Sequence, residues 1–232
     1  MSSIIKVGKV QSSTGQDAIE IANDGHIQNA LTLDGGIANA GTISAGTLSS
    51  SVTVQAGSPI AVQLASSQSS SATTQVDFNN TIVTSSYKSY RICINNVIPA
   101  TDVTEPYILL SVNNGSSFIA NIDSRRHYHK VTNTSSHGHE HNAGGYIQIG
   151  TDLGNDANEG FFGHVDLFGI TITTTNWAGG YANCMGRHGS DRFWWDNGFH
   201  IEKGVADAIN FIRFKMSSGD LAEHDISLWG FK

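Results

Sequence analysis

"YKSYRICINNVI", residues 87–98, alternates, with Tyr90, Ile92 and Ile94 on one face. Successive side chains of an extended chain point to opposite faces, so this alternation predicts a half-buried β-strand rather than a helix. The same reading extends outward from it. "PYILLSV" (106–112), "GGYIQIG" (144–150), "FFGHVDLFGITIT" (161–173), "DAINFIRFKM" (207–216) and "HDISLWGF" (224–231) are short, β-branched or aromatic, and separated by Gly, Asn, Asp or Ser clusters. No long stretch repeats with a period of 3.6. About eight such strands fit an antiparallel β-sandwich of the jelly-roll kind. Residues 209–214 are apolar on both faces, which predicts a central strand, and "HDISLWGF" is expected to close a sheet.

The composition agrees. Of 232 residues only 14% are charged, against roughly 25% in ordinary globular domains, and Ser, Thr, Asn and Gly take their place. The formal net charge is −7 and no basic run is longer than Arg125–Arg126. Phosphate neutralisation needs grouped Lys and Arg, so a nucleic-acid partner is not expected. The apolar runs are far shorter than the ~20 residues of a membrane span, and "MSSIIKVGKV" is too polar for a secretory leader. A soluble protein, not exported by the usual route and not inserted in a membrane, is expected.

A boundary divides the chain. The first 77 residues hold no Phe, Trp or Tyr; every aromatic lies between Phe78 and Phe231. Within the aromatic-free part, "GHIQNALTLDGGIANAGTISAGTLSSSVTV" (25–54) spaces Ile, Leu and Val among small residues in a loose repeat, "IQNA" returning as "IANA" and "GTI" as "GTL". Such units gain stability by stacking on neighbours, here other copies wound about a common axis. The predicted organisation is a β-rich docking or stalk segment (1–63), a Ser/Thr-rich linker "LASSQSSSATTQ" (64–75) and a sandwich head (76–232).

This layout resembles phage tail-fibre and short virion-fibre proteins. The resemblance rests on "IIKVGKVQSSTGQDAIEIANDGHI" (4–27), "YKSYRICINNVIPATD" (87–102), the inner turns "NGSSF" (114–118) and "GNDANEGFFG" (154–163), and the closing "INFIRFKMSSGDLAEHDISLWGFK" (209–232). It covers most of the chain in outline. It implies a virion protein assembled in the host cytoplasm: a homotrimer held to other virion proteins by its N-terminal segment, with a head that touches a host receptor or surface glycan. A purely structural virion protein (capsid decoration, collar, adaptor or baseplate-peripheral) and a cellular lectin-like sandwich are the alternatives.

Three stretches carry candidate sites. "NWAGGYANCMGRHGSDRFWWDNG" (176–198) reads as an aromatic loop region with Trp177, Tyr181, Arg187, Arg192, Trp194 and Trp195. Trp and Tyr can stack on the apolar faces of sugars while Arg bonds hydroxyls, which suits a receptor or glycan contact; the same residue types also anchor subunit interfaces. In a strand Trp194 and Trp195 must point to opposite faces, so one belongs to the core. "HYHKVTNTSSHGHEH" (127–141) reads as a long polar loop with two His-x-His patterns. In a trimer His137 and His139, or His127 and His129, would surround a threefold axis and offer imidazoles to a transition metal such as Fe, Ni or Zn. Without a metal, clustered histidines would gain charge as pH falls. "GTDLGNDANEG" (150–160) reads as a turn whose carboxylates resemble calcium ligands only loosely.

The two cysteines, Cys93 and Cys184, are read as thiols, Cys93 being buried in its strand; spacing leaves a disulfide between them open. No Gly-x-Ser-x-Gly elbow, phosphate-binding glycine loop or His-Glu-x-x-His pattern is present, and no enzymatic activity is expected.

Overall fold

A computed structural model describes residues 9–11, 17–20, 61–131, 136–189, 191–204 and 206–232; at 9–11, 17–20, 131, 136–137 and 139–143 the description is of backbone alone. The chain divides into two units, Met1–Gln55 and Ala56–Lys232. In the first, β1 (Lys9–Gln11) pairs antiparallel with β2 (Asp17–Glu20), Val10 opposite Ile19. The repeat at 25–54 lies outside the described residues.

The second unit is all β, with no helix among its described residues. One antiparallel sheet has eight strands: β3 (Ala61–Ser69), β5 (Ser89–Pro99), β7 (Asn121–Val131), β8 (Ser136–Gly144), β10 (Phe161–Phe168), β11 (Trp177–His188), β12 (Asp191–Glu202) and β14 (Leu221–Phe231). They lie in the order β3-β14-β5-β10-β11-β12-β7-β8. The second sheet has four: β4 (Val76–Phe78), β6 (Pro106–Ser111), β9 (Ile147–Gln148) and β13 (Phe211–Met216), in the order β4-β13-β6-β9. The chain crosses repeatedly between the two.

One core lies between the sheets. The large sheet sends in Ile92, Ile94, Phe161, Val165, Leu167, Trp195, Phe199 and Ile201; the small one answers with Phe78, Ile108, Leu110, Ile147, Ile212 and Phe214. The cause is the period-two pattern of the sequence. It is cleanest in β12, "DRFWWDNGFHIE", where every second residue from Phe193 to Ile201 is buried and every intervening one is exposed. Trp195 stacks on Phe193 with ring centroids 5.3 Å apart and meets Phe161 at 5.9 Å. β13, apolar on both faces in the sequence, is a central strand between β4 and β6.

Four expectations are corrected. The Ser/Thr-rich segment 64–75 is not a free linker: residues 64–69 belong to β3, which pairs with β14 (Ala65 opposite Leu228, Ser67 opposite Ile226, Ser69 opposite His224). Thr73 continues the contact through two backbone hydrogen bonds with Leu221, at 2.9 and 2.8 Å. The physical reason is β14's own need for partners: its outer edge would otherwise present unpaired N–H and C=O groups. The final strand is therefore flanked on both sides. Next, "HYHKVTNTSSHGHEH" is a hairpin of β7 and β8, and the aromatic stretch is a hairpin of two twelve-residue strands, β11 and β12; neither is a long loop. Last, Cys93, expected to be buried in its strand, is only partly buried; it and the buried Cys184 are free thiols, as the sequence suggested.

Candidate functional site

Packing one face of the eight-stranded sheet on the core leaves its other face outward. Here the outward positions of four adjacent strands are filled with aromatic, His, Arg and Asp side chains. The register sets them in rows. Phe162 (β10), Met185 (β11), Trp194 (β12) and His129 (β7) follow one another across the sheet. The next row is His164, Asn183, Asp196 and His127, and the one beyond it Asp166, Tyr181, Gly198 and Arg125. Phe162, Phe168, Trp177, Tyr181, Met185 and Trp194 are each 39–50% exposed. Single exposed apolar residues need no explanation, but a group of them on one face marks a surface used for binding.

The row through Asp166 is fixed by charge. Arg91 of β5 donates two hydrogen bonds to the carboxylate, Nε to Oδ1 and Nη2 to Oδ2, each 2.7 Å. Burial acts to raise the Asp166 pKa, but the Arg91 guanidinium outweighs it and holds the carboxyl below its ordinary range. Tyr181 stands opposite Asp166 in the register, and this neighbouring carboxylate raises the phenol's pKa. His164 Nε2 lies 3.8 Å from Asp166 Oδ2, and Cys93 stands opposite His164 in the register. Cys, His and Asp in this order suggest a nucleophile with its base, yet burial pushes the Cys93 thiol up, away from the thiolate a nucleophile needs. Asp166 is already committed to Arg91, so the group works as a clamp that stiffens the face.

At one end of the face Trp177 opens β11. Its indole stacks on the imidazole of His200, centroids 4.3 Å apart and planes at 19°. Beside the pair is a cleft of about 340 Å³ lined by Ala120, Asn121, Ile122, Asp123, Trp177, His200 and Glu202. A second cleft, of about 350 Å³, lies on the same face across β5, β14 and β3, lined by Gln63, Ser66, Gln68, Cys93, Asn95, Asp225, Ser227 and Trp229.

The residues singled out from the sequence are separated by this geometry. Trp177 and Met185, the cross-strand partner of Trp194, are eight residues apart on β11, which is about 26 Å at ~3.3 Å per residue. Trp177 and Trp194 therefore serve different parts of the face, with Tyr181 between them. Arg187 and Arg192 are cross-strand neighbours at the Trp194 end, where Arg187 Nε donates to the Gly189 carbonyl at 2.6 Å. Trp195 is a correction: it is wholly buried in the core, so Trp194 is the exposed member of the pair.

His127 and His129 are exposed on β7. In the register His127 stands opposite position 139 and His129 opposite position 137; the side chains of His137 and His139 lie outside the described residues. Among the described residues no group of three or more His, Cys, Asp or Glu side chains is placed to hold a metal ion. The acidic stretch 150–160 serves its turns. Glu159, 3% exposed, accepts hydrogen bonds from the backbone N–H of Asp156 at 3.1 Å and of Gly189.

Several members of the face were missed from the sequence: Arg91, Phe162, Asp166, Met185, Asp123 and His200. The signal existed. Carrying the parity of β12 onward from Trp194 reaches His200 and Glu202 on the same side. No known protein family, curated protein or solved structure matches the chain.

Proposed function

We propose that the chain is a virion fibre protein whose sandwich head attaches to a surface glycan of the host through the outer face of its eight-stranded sheet. The observation that carries this reading is that face itself: aromatic side chains stand outward on a stiff, clamped sheet, interleaved with Asp, Asn, His and Arg that can bond hydroxyls. With the β3–β14 edge and the β11–β12 hairpin set aside, the remaining orders β4-β13-β6-β9 and β5-β10-β7-β8 are compatible with the jelly-roll head that this reading expects. Three heads on one trimer would gain avidity from weak individual sites. The N-terminal segment would hold the trimer to other virion proteins, and no catalytic step is assigned to it.

The test is attachment of labelled protein to host cells before and after periodate oxidation of their surface sugars. Attachment lost on oxidation supports the reading; attachment unchanged by oxidation, or none at all, overturns it. A purely structural virion role is the second reading. It is favoured by the apolar row Phe162–Met185–Trp194, which suits a protein partner better than a sugar, and it predicts no attachment to cells.

A further inference from the structure

At the β7–β8 edge of the large sheet the backbone brings histidines together. The antiparallel register sets His127 opposite His139 and His129 opposite His137. His127 and His129 are exposed on the outer face of β7. Residues directly opposite in an antiparallel pair share a face, with Cβ atoms about 4.5–5.5 Å apart. Two residues along one strand span about 6.5–7 Å. The register thus gathers four histidine positions of a single chain into a rectangle of about 5 by 7 Å. The sequence alone called on a threefold axis to gather them; the hairpin does it without one.

The neighbours fit the same array. On the side away from β8, His127 stands opposite Asp196 of β12, whose carboxylate accepts a hydrogen bond from Asn183. A carboxylate beside a ligating imidazole is the usual means of fixing the ring and raising its basicity. Arg125, the next outward residue of β7, stands opposite position 141 and brings a positive charge, so the array ends at the 127–139 row. Neither His127 nor His129 stands free; an ion has to share or displace the contacts they already make.

We infer that the β7–β8 hairpin binds one divalent transition metal per chain, of the zinc or nickel class, through these cross-strand histidine pairs. Imidazole nitrogen is a ligand suited to both ions. The two histidines of β7 supply half of a site; those of β8 bring the donors to four, the number a closed zinc site uses. β8 is the outermost strand of the eight-stranded sheet, so an ion held between it and β7 clips that edge. Binding to the folded chain alone stabilises it by mass action. None of this depends on the glycan reading, and its failure leaves that reading untouched.

The experiment is calorimetric titration of the untagged, metal-free full chain with zinc chloride and with nickel sulfate, in parallel with thermal unfolding. At least one ion should bind at one per chain with a Kd of about 10 μM or tighter. At about a hundred times that Kd it should raise Tm by roughly 5–10 °C. The double variants H127Q/H129Q and H137Q/H139Q each strip one strand and keep the His-x-His of the other. Both should weaken binding at least about tenfold, with the metal-free melting temperature unchanged. If either double variant stays within about twofold of the parent, the ion is not held between the strands and the inference is wrong. One ion per three chains would place the site on a symmetry axis and overturn it equally. So would the absence of binding by either ion at about 100 μM.

Discussion

Replacing Trp195 and Trp194 separately by alanine should give opposite results from neighbouring residues. Trp195 is fully buried, lies against Phe193 at 5.3 Å and Phe161 at 5.9 Å, and its indole N–H has no hydrogen-bond partner. Its removal therefore costs packing and cavity energy without orphaning a polar group. Large aromatic deletions in cores cost about 3–5 kcal/mol. In a domain of this size each kcal/mol lowers Tm by about 2–4 °C, so Trp195→Ala should melt roughly 6–20 °C lower. Trp194 is 48% exposed on the opposite face, and its alanine variant should stay within about 0.5 kcal/mol of the parent. Thermal unfolding followed by far-ultraviolet circular dichroism measures both. Equal losses for the two variants, or a loss under about 1 kcal/mol for Trp195→Ala, would refute the assignment of faces in β12.

Arg91→Met leaves the nearly buried Asp166 carboxylate without its guanidinium and should cost about 1–3 kcal/mol in urea unfolding; adding Asp166→Asn should recover most of it. Burial chiefly lowers the His224 pKa below its ordinary value of 6.5, although Asp225 opposes the shift. Below that value the unfolded chain takes up the proton more readily than the folded one. The contribution of His224 to stability is thus complete above about pH 6.5 and declines as pH falls. His224→Gln should flatten the part of the Tm decline between pH 7 and pH 5 that this residue causes, and an unchanged slope contradicts the assignment. His224 Nε2 meets Ser67 Oγ of β3 at 2.8 Å, so the protection factors of the β3 amides, corrected for the intrinsic exchange rate at each pH, should fall on acidification. A chain truncated to begin at residue 76 should be less stable and more prone to associate than one beginning at Ala56, because it bares the edge of β14; equal monomer content in sedimentation would count against this.

Strands such as β5 were legible where one face is apolar and the other is not, but β12, whose alternation is the cleanest of all, was read together with its glycine-rich neighbour β11 as a loop. Tyr90, Ile92 and Ile94, and the opposition of Trp194 to Trp195, follow from alternation alone, and the structure places them accordingly. β3 was not legible because it is an edge strand: Ser and Gln fill most of it, Val62 is exposed and Leu64 only partly covered, and its strand state comes from pairing with β14. β7 was hidden for a related reason. Its inward positions include Ser124 and Arg126, which are buried, so its pattern looks polar on both faces. β11 reads as a loop because of Gly179, Gly180 and Gly186. Gly180 is there for close approach: a Cβ would fall 1.9 Å from the Asp166 carbonyl oxygen and 2.6 Å from the Phe199 ring. The outer face itself could not be assembled from the sequence, because its rows join residues up to 70 or more positions apart, such as Arg91 and Asp166. Only the register brings them together.

The central claim, that the outer face of the eight-stranded sheet binds sugar, is tested most directly by the four indole N–H signals of the chain. Uniformly ¹⁵N-labelled protein would be titrated with oligosaccharide released from the host surface, and each tryptophan signal assigned by substitution. The account predicts that the Trp177 indole signal moves in a saturable way while that of buried Trp195 stays still. Saturable movement confined to resonances off the outer face, with Trp177, Tyr181 and Trp194 unchanged, would contradict it.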